Sequence, residues 1–519
     1  MKTRYVLAYI ASIALVSSCG QQADDTAVDA TSTAETPSTT DTVAKPAAGG
    51  MVLPATTSSD AARELYMAGW ADFANSRFTS ANDNFVEAAA ADPTFAMAHL
   101  MAALSSASTE GFASNLAIAS ENMAGATRGE QLLIEAYEDA FAADTEGWIA
   151  ALQELTELHP DSPRAWVFLG NAYFNVNDSA NARAAYETAI EIAPKYVPAH
   201  INLGNNLLTQ EPKDFGMAEM HFKHAVEITP DEPNPHDLLG DVHRAQGNLE
   251  AAYDDYTRAA ELAPELGSAY QQRAHVSSFL GNYEEARADY TRSAELEDAR
   301  GSNAGGTFLV FRAYVNLHEG DPDAAVTELR ELAAGADAAY SDGAMDLKAN
   351  ALSNAAQIAT DAGDSETAVV VIADAAVVMR QQADDVGSDD LRAAQEATIA
   401  YMEGMLAARN GDAEGAAAKA AEFEVHVASS SNPRKLERMH EIQGMSAYYQ
   451  GDFAGAVEHL SLGDHLNNMY TKYYLARANE AAGNAEEAAR LYAELAVYNF
   501  NGPGYATYRK DILTRAASD

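Results

Sequence analysis

Apolar residues recur at helical spacing along most of this chain, and short polar turns separate the apolar stretches. The clearest example runs from Pro163 to Pro194 and breaks at residues 176–178. Small residues, Gly170 and Ala182, fall where two helices would cross, so their backbones can approach closely. Bulky rings fill the rest of the pair, at Trp166, Tyr173 and Tyr186. The pattern predicts two packed helices that end before a proline.

The 34-residue spacing of this stretch resembles the tetratricopeptide repeat, a helix–turn–helix unit that stacks on copies of itself. The resemblance implies an all-α fold, a right-handed α-solenoid that is regular in the first half and degenerate in the second. Abundant alanine, with no β-branched run bounded by turn residues, also favours helix.

The repeat pattern varies in quality along the chain. A first repeat is predicted at 62–95, with a turn at 75–77, and the register is uncertain over 94–160. Four regular repeats follow at 163–196, 197–232, 233–266 and 267–299. The pattern breaks at 298–306, which predicts a solenoid over 60–299 and divergent helical repeats over 300–519.

Beyond residue 306, five turns place glycine at the end of one helix and Asp or Asn where it can cap the next. These turns are 319–322, 362–364, 410–412, 450–452 and 482–484. The clearest helix pairs are predicted at 439–460 and 470–498. The apolar run 368–379 is interpreted as helix rather than strand, and 512–517 as a final helix that caps the array.

The N-terminus predicts secretion and lipid attachment. Residues 1–18 combine Lys2 and Arg4 with a short apolar core that is too short to be a comfortable membrane span. The run 16–19 resembles the bacterial lipobox, which implies lipidation of Cys19, the one cysteine in the sequence. The alternative is an ordinary secretory signal with a chance cysteine.

Residues 19–59 are rich in Thr, Ala, Ser and Asp and poor in large apolar side chains, which predicts a disordered tether. Gly20 after the cysteine favours the outer membrane by resemblance to enterobacterial lipoproteins. We therefore expect a lipid-anchored protein of the bacterial cell envelope that faces the periplasm, with Cys19 as its membrane attachment.

The net charge is −44. This balance argues against nucleic acid as a direct ligand, because phosphates would be repelled. It is compatible with a basic protein or peptide partner, although the simpler interpretation is that the charge keeps a long solenoid soluble.

The resemblance implies that ligand contacts come from fixed positions on the first helix of each repeat. The predicted partner-binding residues are Asn171, Asn175, Asn205, Asp237, Asp241, Arg244, Gln271 and His275. The amides suit an extended peptide backbone, and the two aspartates suit a basic side chain. The family's carboxylate clamp is not predicted, because Val167, Asn234 and Leu238 stand where basic residues would be.

No pattern in the sequence indicates catalysis, a cofactor or a metal. Phosphate-loop, dinucleotide and His-Glu-x-x-His motifs are missing from it. His221 and His224 are spaced to share a metal, but we expect each on an exposed helix face. His200 and His236 occupy a bulky core position.

The sequence therefore predicts a non-catalytic adaptor or scaffold that binds a peptide or protein in a concave groove. Two alternatives stay open: an enzyme with a divergent helical catalytic domain at 300–519, and a solenoid that binds a small molecule or glycan. A pocket with convergent histidine and carboxylate groups would favour the enzyme. The partner's identity and the oligomeric state are not encoded in any recognisable pattern.

Overall fold

A computed structural model describes residues 55–517, except 75–77, 107–108, 143, 300–304, 341–342, 431, 433 and 467. Over these residues it contains 25 α-helices and one short 3₁₀ turn, Met123–Gly125, and no strand. The all-α prediction is confirmed. The predicted signal peptide, Cys19, most of the predicted tether and the predicted turn at 75–77 lie outside the described residues.

The chain divides into two compact units. Unit 1 extends to His243 and includes Glu261–Ala263, whereas unit 2 comprises Arg244–Ala260 and the chain from Pro264 onward. The helices up to the division are α1 Asp60–Ala74, α2 Phe78–Ala91, α3 Ala96–Leu104, α4 Thr109–Asn122, α5 Arg128–Phe141, α6 Thr145–Leu158, α7 Pro163–Asn175, α8 Ser179–Ile192, α9 Val197–Thr209, α10 Phe215–Ile228 and α11 Pro233–Ala245.

The remaining helices continue the same alternation. They are α12 Leu249–Leu262, α13 Gly267–Leu280, α14 Tyr283–Ala299, α15 Gly305–Glu319, α16 Pro322–Ala339, α17 Ala344–Ala362, α18 Ser365–Val386, α19 Asp389–Arg409, α20 Ala413–Val427, α21 Glu437–Tyr449, α22 Phe453–Leu462, α23 Met469–Ala482, α24 Ala485–Ala496 and α25 Pro503–Ala516.

Within each unit, consecutive helices pack as hairpins and each hairpin packs on the next. First helices also pack side by side, as α7 does with α9 in unit 1 and α17 with α19 in unit 2. This arrangement is the helical-repeat packing that the sequence predicts. None of the helices in the described part of the chain is long and apolar enough to cross a membrane.

The five predicted turns of the second half have the expected backbone. Each contains a glycine with positive φ, at Gly320, Gly363, Gly411, Gly451 and Gly483. The aspartates that follow the first four accept a hydrogen bond from the backbone of the next helix, whereas Asn484 does not. Local turn chemistry therefore sets these helix boundaries.

The crossing of α7 and α8 shows why the repeat needs a small residue. A Cβ atom added to Gly170 would lie 2.4 Å from the Tyr186 ring, which is itself buried. Ala182 is also completely buried. The packing interpretation of these three positions is confirmed.

The region of uncertain register also forms hairpins. Helices α3 to α6 form this region, and Trp148 is 2% exposed in the core of unit 1. In unit 2, α14 and α15 pack on each other on either side of the predicted break at 298–306. The apolar run 368–379 lies within α18, as predicted.

Candidate partner-binding surfaces

Two first helices of unit 1 carry the most regular part of the predicted site. Helix α7 begins at Pro163, whose fixed φ suits a first helical position, and Ser162 caps it by accepting from the Ala165 amide. We call the surface formed by Asn171, Asn175 and Thr209 on α7 and α9 the α7/α9 face. Asn171 and Asn175 are half-buried and Thr209 is exposed.

Asn171 is held in one orientation by the core. The buried Tyr186 hydroxyl donates to Asn171 Oδ1 over 2.8 Å, which leaves the amide Nδ2 as the group to donate outward. One turn later, Asn175 Nδ2 donates to the Asn171 carbonyl oxygen over 2.8 Å. The face therefore presents a preorganised amide rather than a mobile one.

Other predicted residues of unit 1 lie deeper. Asn205 is 3% exposed, Asp237 is 6% exposed and Asp241 is 2% exposed. Arg164 is covered as well, because its guanidinium lies 3.6 Å from the centre of the Trp70 ring on α1. In this structure these side chains are below the surface, so a partner would reach them only after a rearrangement.

The predicted residues of unit 2 are also mostly buried. Arg244 is 2% exposed, and its Nη1 donates to Gln272 Oε1 over 2.8 Å. His275 places Nδ1 2.6 Å from the Tyr290 hydroxyl, and burial lowers its pKa well below the usual value. Gln271 is half-buried beside His275.

A C-terminal segment, residues 497–516, occupies the first-helix side of unit 2. Its helix α25 packs on α15, α17 and α23, which are all first helices, and on α24. The sequence predicted only a final helix at 512–517 that caps the array. The observed helix is longer and folds back onto earlier hairpins.

Polar side chains fix the start of this segment. Asn499 Nδ2 donates to the Arg244 carbonyl oxygen over 3.0 Å, and Asn501 Nδ2 donates to the Tyr290 hydroxyl over 2.8 Å. His318 Nε2 lies 3.1 Å from Asn501 Oδ1. The Phe500 ring lies 4.6 Å from the Arg244 guanidinium.

Aromatic contacts hold the helix that follows. The Tyr508 ring stacks on Tyr473 with centroids 4.3 Å apart, and the Tyr474 and Tyr508 hydroxyls are 2.9 Å apart. Tyr505 packs edge-on against Phe279, 5.8 Å between centroids. The C-terminal segment is therefore an integral occupant of the first-helix side of unit 2.

A cavity of about 180 Å³ opens between the first helices of unit 2. Its lining contains the carboxyl of Asp361, the rings of Tyr401 and Tyr470, and several amides and hydroxyls. Histidine is missing from this lining, so the histidine–carboxylate convergence expected of the enzyme alternative does not occur there.

One expectation about histidines is wrong. His221 is 7% exposed rather than on the surface, and its Nδ1 lies 3.1 Å from His200 Nδ1. Burial lowers the pKa of His221 to about 4, since the neighbouring histidines and the loss of water both disfavour its charged form. The described residues contain no group of three or more His, Cys, Asp or Glu side chains that could hold a metal.

Comparison with family models gives matches described as tetratricopeptide repeat. They cover residues 163–196, 236–266 and 267–299, and a second model of the same description covers 443–506. The last match lies in the half where the sequence predicted divergent repeats. Among curated proteins, none matches the sequence.

Solved structures show local likeness. MamA from Desulfovibrio magneticus RS-1 is 19% identical, with 34% of this chain and 98% of that chain covered, at a TM-score of 0.30. PilF of Pseudomonas aeruginosa is 17% identical over 40% of this chain and 90% of that chain, at a TM-score of 0.33. YrrB, described as a tetratricopeptide repeat protein with an unusual peptide-binding site, is 18% identical over 35% of this chain and 90% of that one, at a TM-score of 0.29.

Tetratricopeptide repeat proteins generally bind protein or peptide partners and typically act as adaptors, so the general class of this molecule is a protein-interaction scaffold. The matched repeats at 163–196, 236–266, 267–299 and 443–506 coincide with helix hairpins of the structure. The chain therefore contains tetratricopeptide repeats in both its first and its second half.

Proposed function

We propose that this protein is a lipid-anchored, non-catalytic adaptor of the bacterial cell envelope that binds an extended peptide or protein segment on its α7/α9 face. The observation that carries the proposal is the matched repeat at 163–196, whose first helix α7 packs side by side with α9, the first helix of the next hairpin. Repeats of this kind offer extended binding surfaces on their first helices.

The geometry favours the α7/α9 face over the corresponding surface of unit 2. Asn171 is oriented by Tyr186 and is not fully buried. On unit 2, by contrast, α15, α17 and α23 are already packed against the C-terminal segment. A backbone carbonyl of an extended partner would find a fixed donor on α7.

A matched pair of substitutions tests this assignment by affinity capture from crosslinked envelopes. Asn175→Arg places a long cation on the α7/α9 face, while Asn181→Arg makes the same change on the exposed start of α8. We expect Asn175→Arg to reduce capture of partner proteins by about tenfold or more, because the new side chain covers the α7/α9 face. A tenfold loss of affinity corresponds to about 1.4 kcal/mol of binding free energy.

The control substitution, Asn181→Arg, should leave capture unchanged. Both variants should melt at the temperature of the wild-type protein, since neither position is in the core. Equal capture by Asn175→Arg and wild type would refute the α7/α9 face as the binding surface.

The anchor is proposed from the sequence of residues 1–19. An apolar core after Lys2 and Arg4, followed by the only cysteine in the chain, supports diacylglycerol attachment at Cys19. Two or more acyl chains hold a protein on a membrane stably, whereas one does so only marginally. Outer-membrane location is proposed from Gly20, and a basic partner from the net charge of −44.

Cys19→Ala is expected to move the protein from the membrane fraction to the soluble periplasmic fraction. The measurement is fractionation of cells followed by immunoblotting, with Cys19→Ser as a second variant that also lacks the thiol. Membrane retention of both variants would contradict the lipid anchor without bearing on the α7/α9 face.

A further inference from the structure

The cavity in unit 2 has the size and position of a small-ligand site. It lies among the first helices α17, α19 and α21 and the start of α23, and its volume is about 180 Å³. A water molecule takes up about 30 Å³ in the liquid, so the cavity offers room for about six waters or one small organic molecule. The volume is below the range of about 300–1,000 Å³ that is usual for drug-sized ligands.

An acidic group forms one side of the cavity. Asp361 is 8% exposed, and its Oδ1 accepts a hydrogen bond of 2.8 Å from the buried Tyr470 hydroxyl. Burial raises the pKa of Asp361 to about 7. A carboxyl that is this deeply desolvated is stabilised in its charged form by any cation that reaches it.

A basic group lines the same cavity. Arg438 is exposed at the start of α21, and its guanidinium lies 5.1 Å from the centre of the Tyr401 ring. It forms no ion pair within 4 Å with any residue that the structure describes, although its charge partly offsets the effect of burial on the pKa of Glu441, one turn along α21. The charge of Arg409, whose Nη2 donates to the Asp361 carbonyl oxygen over 3.2 Å, likewise partly offsets the effect of burial on the pKa of Asp361. The cavity therefore has an acid and a base in its lining that do not pair with each other.

The remaining lining is neutral and suits the body of a small ligand. Met402 and Met405 supply an apolar wall that can adapt to different shapes. Hydroxyl and amide groups supply further donors and acceptors, at Ser353, Asn354, Gln357, Thr360, Thr398 and Asn468. A ligand with one charge of each sign would offer an ionic partner to both the acid and the arginine.

We propose that this cavity binds a small zwitterion, with its ammonium group at Asp361 and its carboxylate at Arg438. The chemical class is the free α-amino acid or the dipeptide, which share these two end groups. The site would add a ligand-binding function to the scaffold, and it is independent of the α7/α9 face.

Calorimetric titration of the full chain in detergent tests the proposal. The probes are a panel of free L-amino acids and a set of dipeptides at millimolar concentration, which distinguishes the two sources of the zwitterion. For the tightest probe, its N-acetylated and its C-amidated forms are titrated as well. Each blocked form should bind at least about tenfold more weakly, because one charged hydrogen bond is lost.

The variants Asp361→Asn and Arg438→Gln assign the two ends of the ligand. Asp361→Asn should erase the preference for the free amine over the N-acetylated form, and Arg438→Gln should erase the preference for the free carboxylate over the amide. Arg292→Gln, which changes an exposed arginine outside the cavity, should bind like wild type.

Because Arg438 is exposed, Arg438→Gln should fold normally. It therefore tests the proposal even if Asp361→Asn fails to fold. The proposal is overturned if wild type binds no amino acid or dipeptide of the panel. It is equally overturned if blocked and free forms bind alike, or if Arg438→Gln keeps full preference for the free carboxylate.

Discussion

Deletion of the C-terminal segment from residue 497 onward should destabilise unit 2 by about 5 kcal/mol or more. Tyr505 and Ile512 on α25 are 2% and 1% exposed, and burial of one such side chain contributes about 1.5–3 kcal/mol. The deletion would also uncover Tyr470, Tyr473 and Tyr474 on α23, which are buried in the intact chain. The measurement is thermal unfolding of full-length and truncated protein by calorimetry.

Two single substitutions sharpen this prediction. Asn501→Ala removes the hydrogen bonds with Tyr290 and His318 and should cost about 1–3 kcal/mol, because their buried polar groups lose a partner. Lys510→Ala changes an exposed residue of the same helix and should be neutral. A truncated chain that melts like the full-length chain would show that the C-terminal segment does not occupy unit 2 in solution.

The second large effect is a contribution of Asp361 to the stability of unit 2 that is lost as the pH rises from about 4 to about 7. Burial raises the pKa of Asp361 from its usual value of 3.8 to about 7, so the folded protein binds this proton more tightly than the unfolded chain. The stabilisation is complete below the unfolded pKa and is lost as the pH passes through the folded pKa. The full span is about 4 kcal/mol, at about 1.4 kcal/mol per pKa unit.

Denaturant unfolding at several pH values measures this slope. Asp361→Asn keeps the shape and cannot ionise, so the difference in stability between variant and wild type isolates the contribution of Asp361. His275 and His318 contribute slopes of the opposite sign to both proteins, because burial lowers their pKa values, and Glu441 contributes one of the same sign to both. Relative to wild type, the variant should gain stability as the pH rises from about 4 to about 7, and a difference that stays constant across this window would contradict the assignment.

Local chemistry explains why most of the fold could be predicted from the sequence. The turn at 319–322 needs a residue with positive φ and then a cap, and Gly320 and Asp321 supply both within one stretch. The crossing at Gly170 is likewise fixed by residues sixteen apart, since Tyr186 fills the space that a side chain would take.

Contacts between residues far apart in the sequence could not be predicted from these local patterns. Asn501 meets Tyr290 and His318, and nothing in the sequence around 501 indicates those partners. For the same reason the sequence assigned the predicted binding positions to first helices but did not indicate how deeply they are buried. Asp241 stands at a ligand-contact position of its repeat and is 2% exposed in the folded chain.

The zwitterion cavity could not be predicted from the sequence either. Asp361 and Arg438 come from different hairpins, and neither stands out in a chain with 77 acidic and 33 basic residues. Only their placement around one cavity distinguishes them from the many charged residues on helix surfaces.

The most direct measurement of the central claim is photo-crosslinking in intact cells from single positions of the α7/α9 face. A photoreactive amino acid at 175 or at 209 should give the same protein adduct, because both positions lie on that face. The same residue at 181, on the exposed start of α8, should give none. Adducts from position 181 alone, or no adduct from 175 and 209, would contradict the claim that this protein engages its partner through α7 and α9.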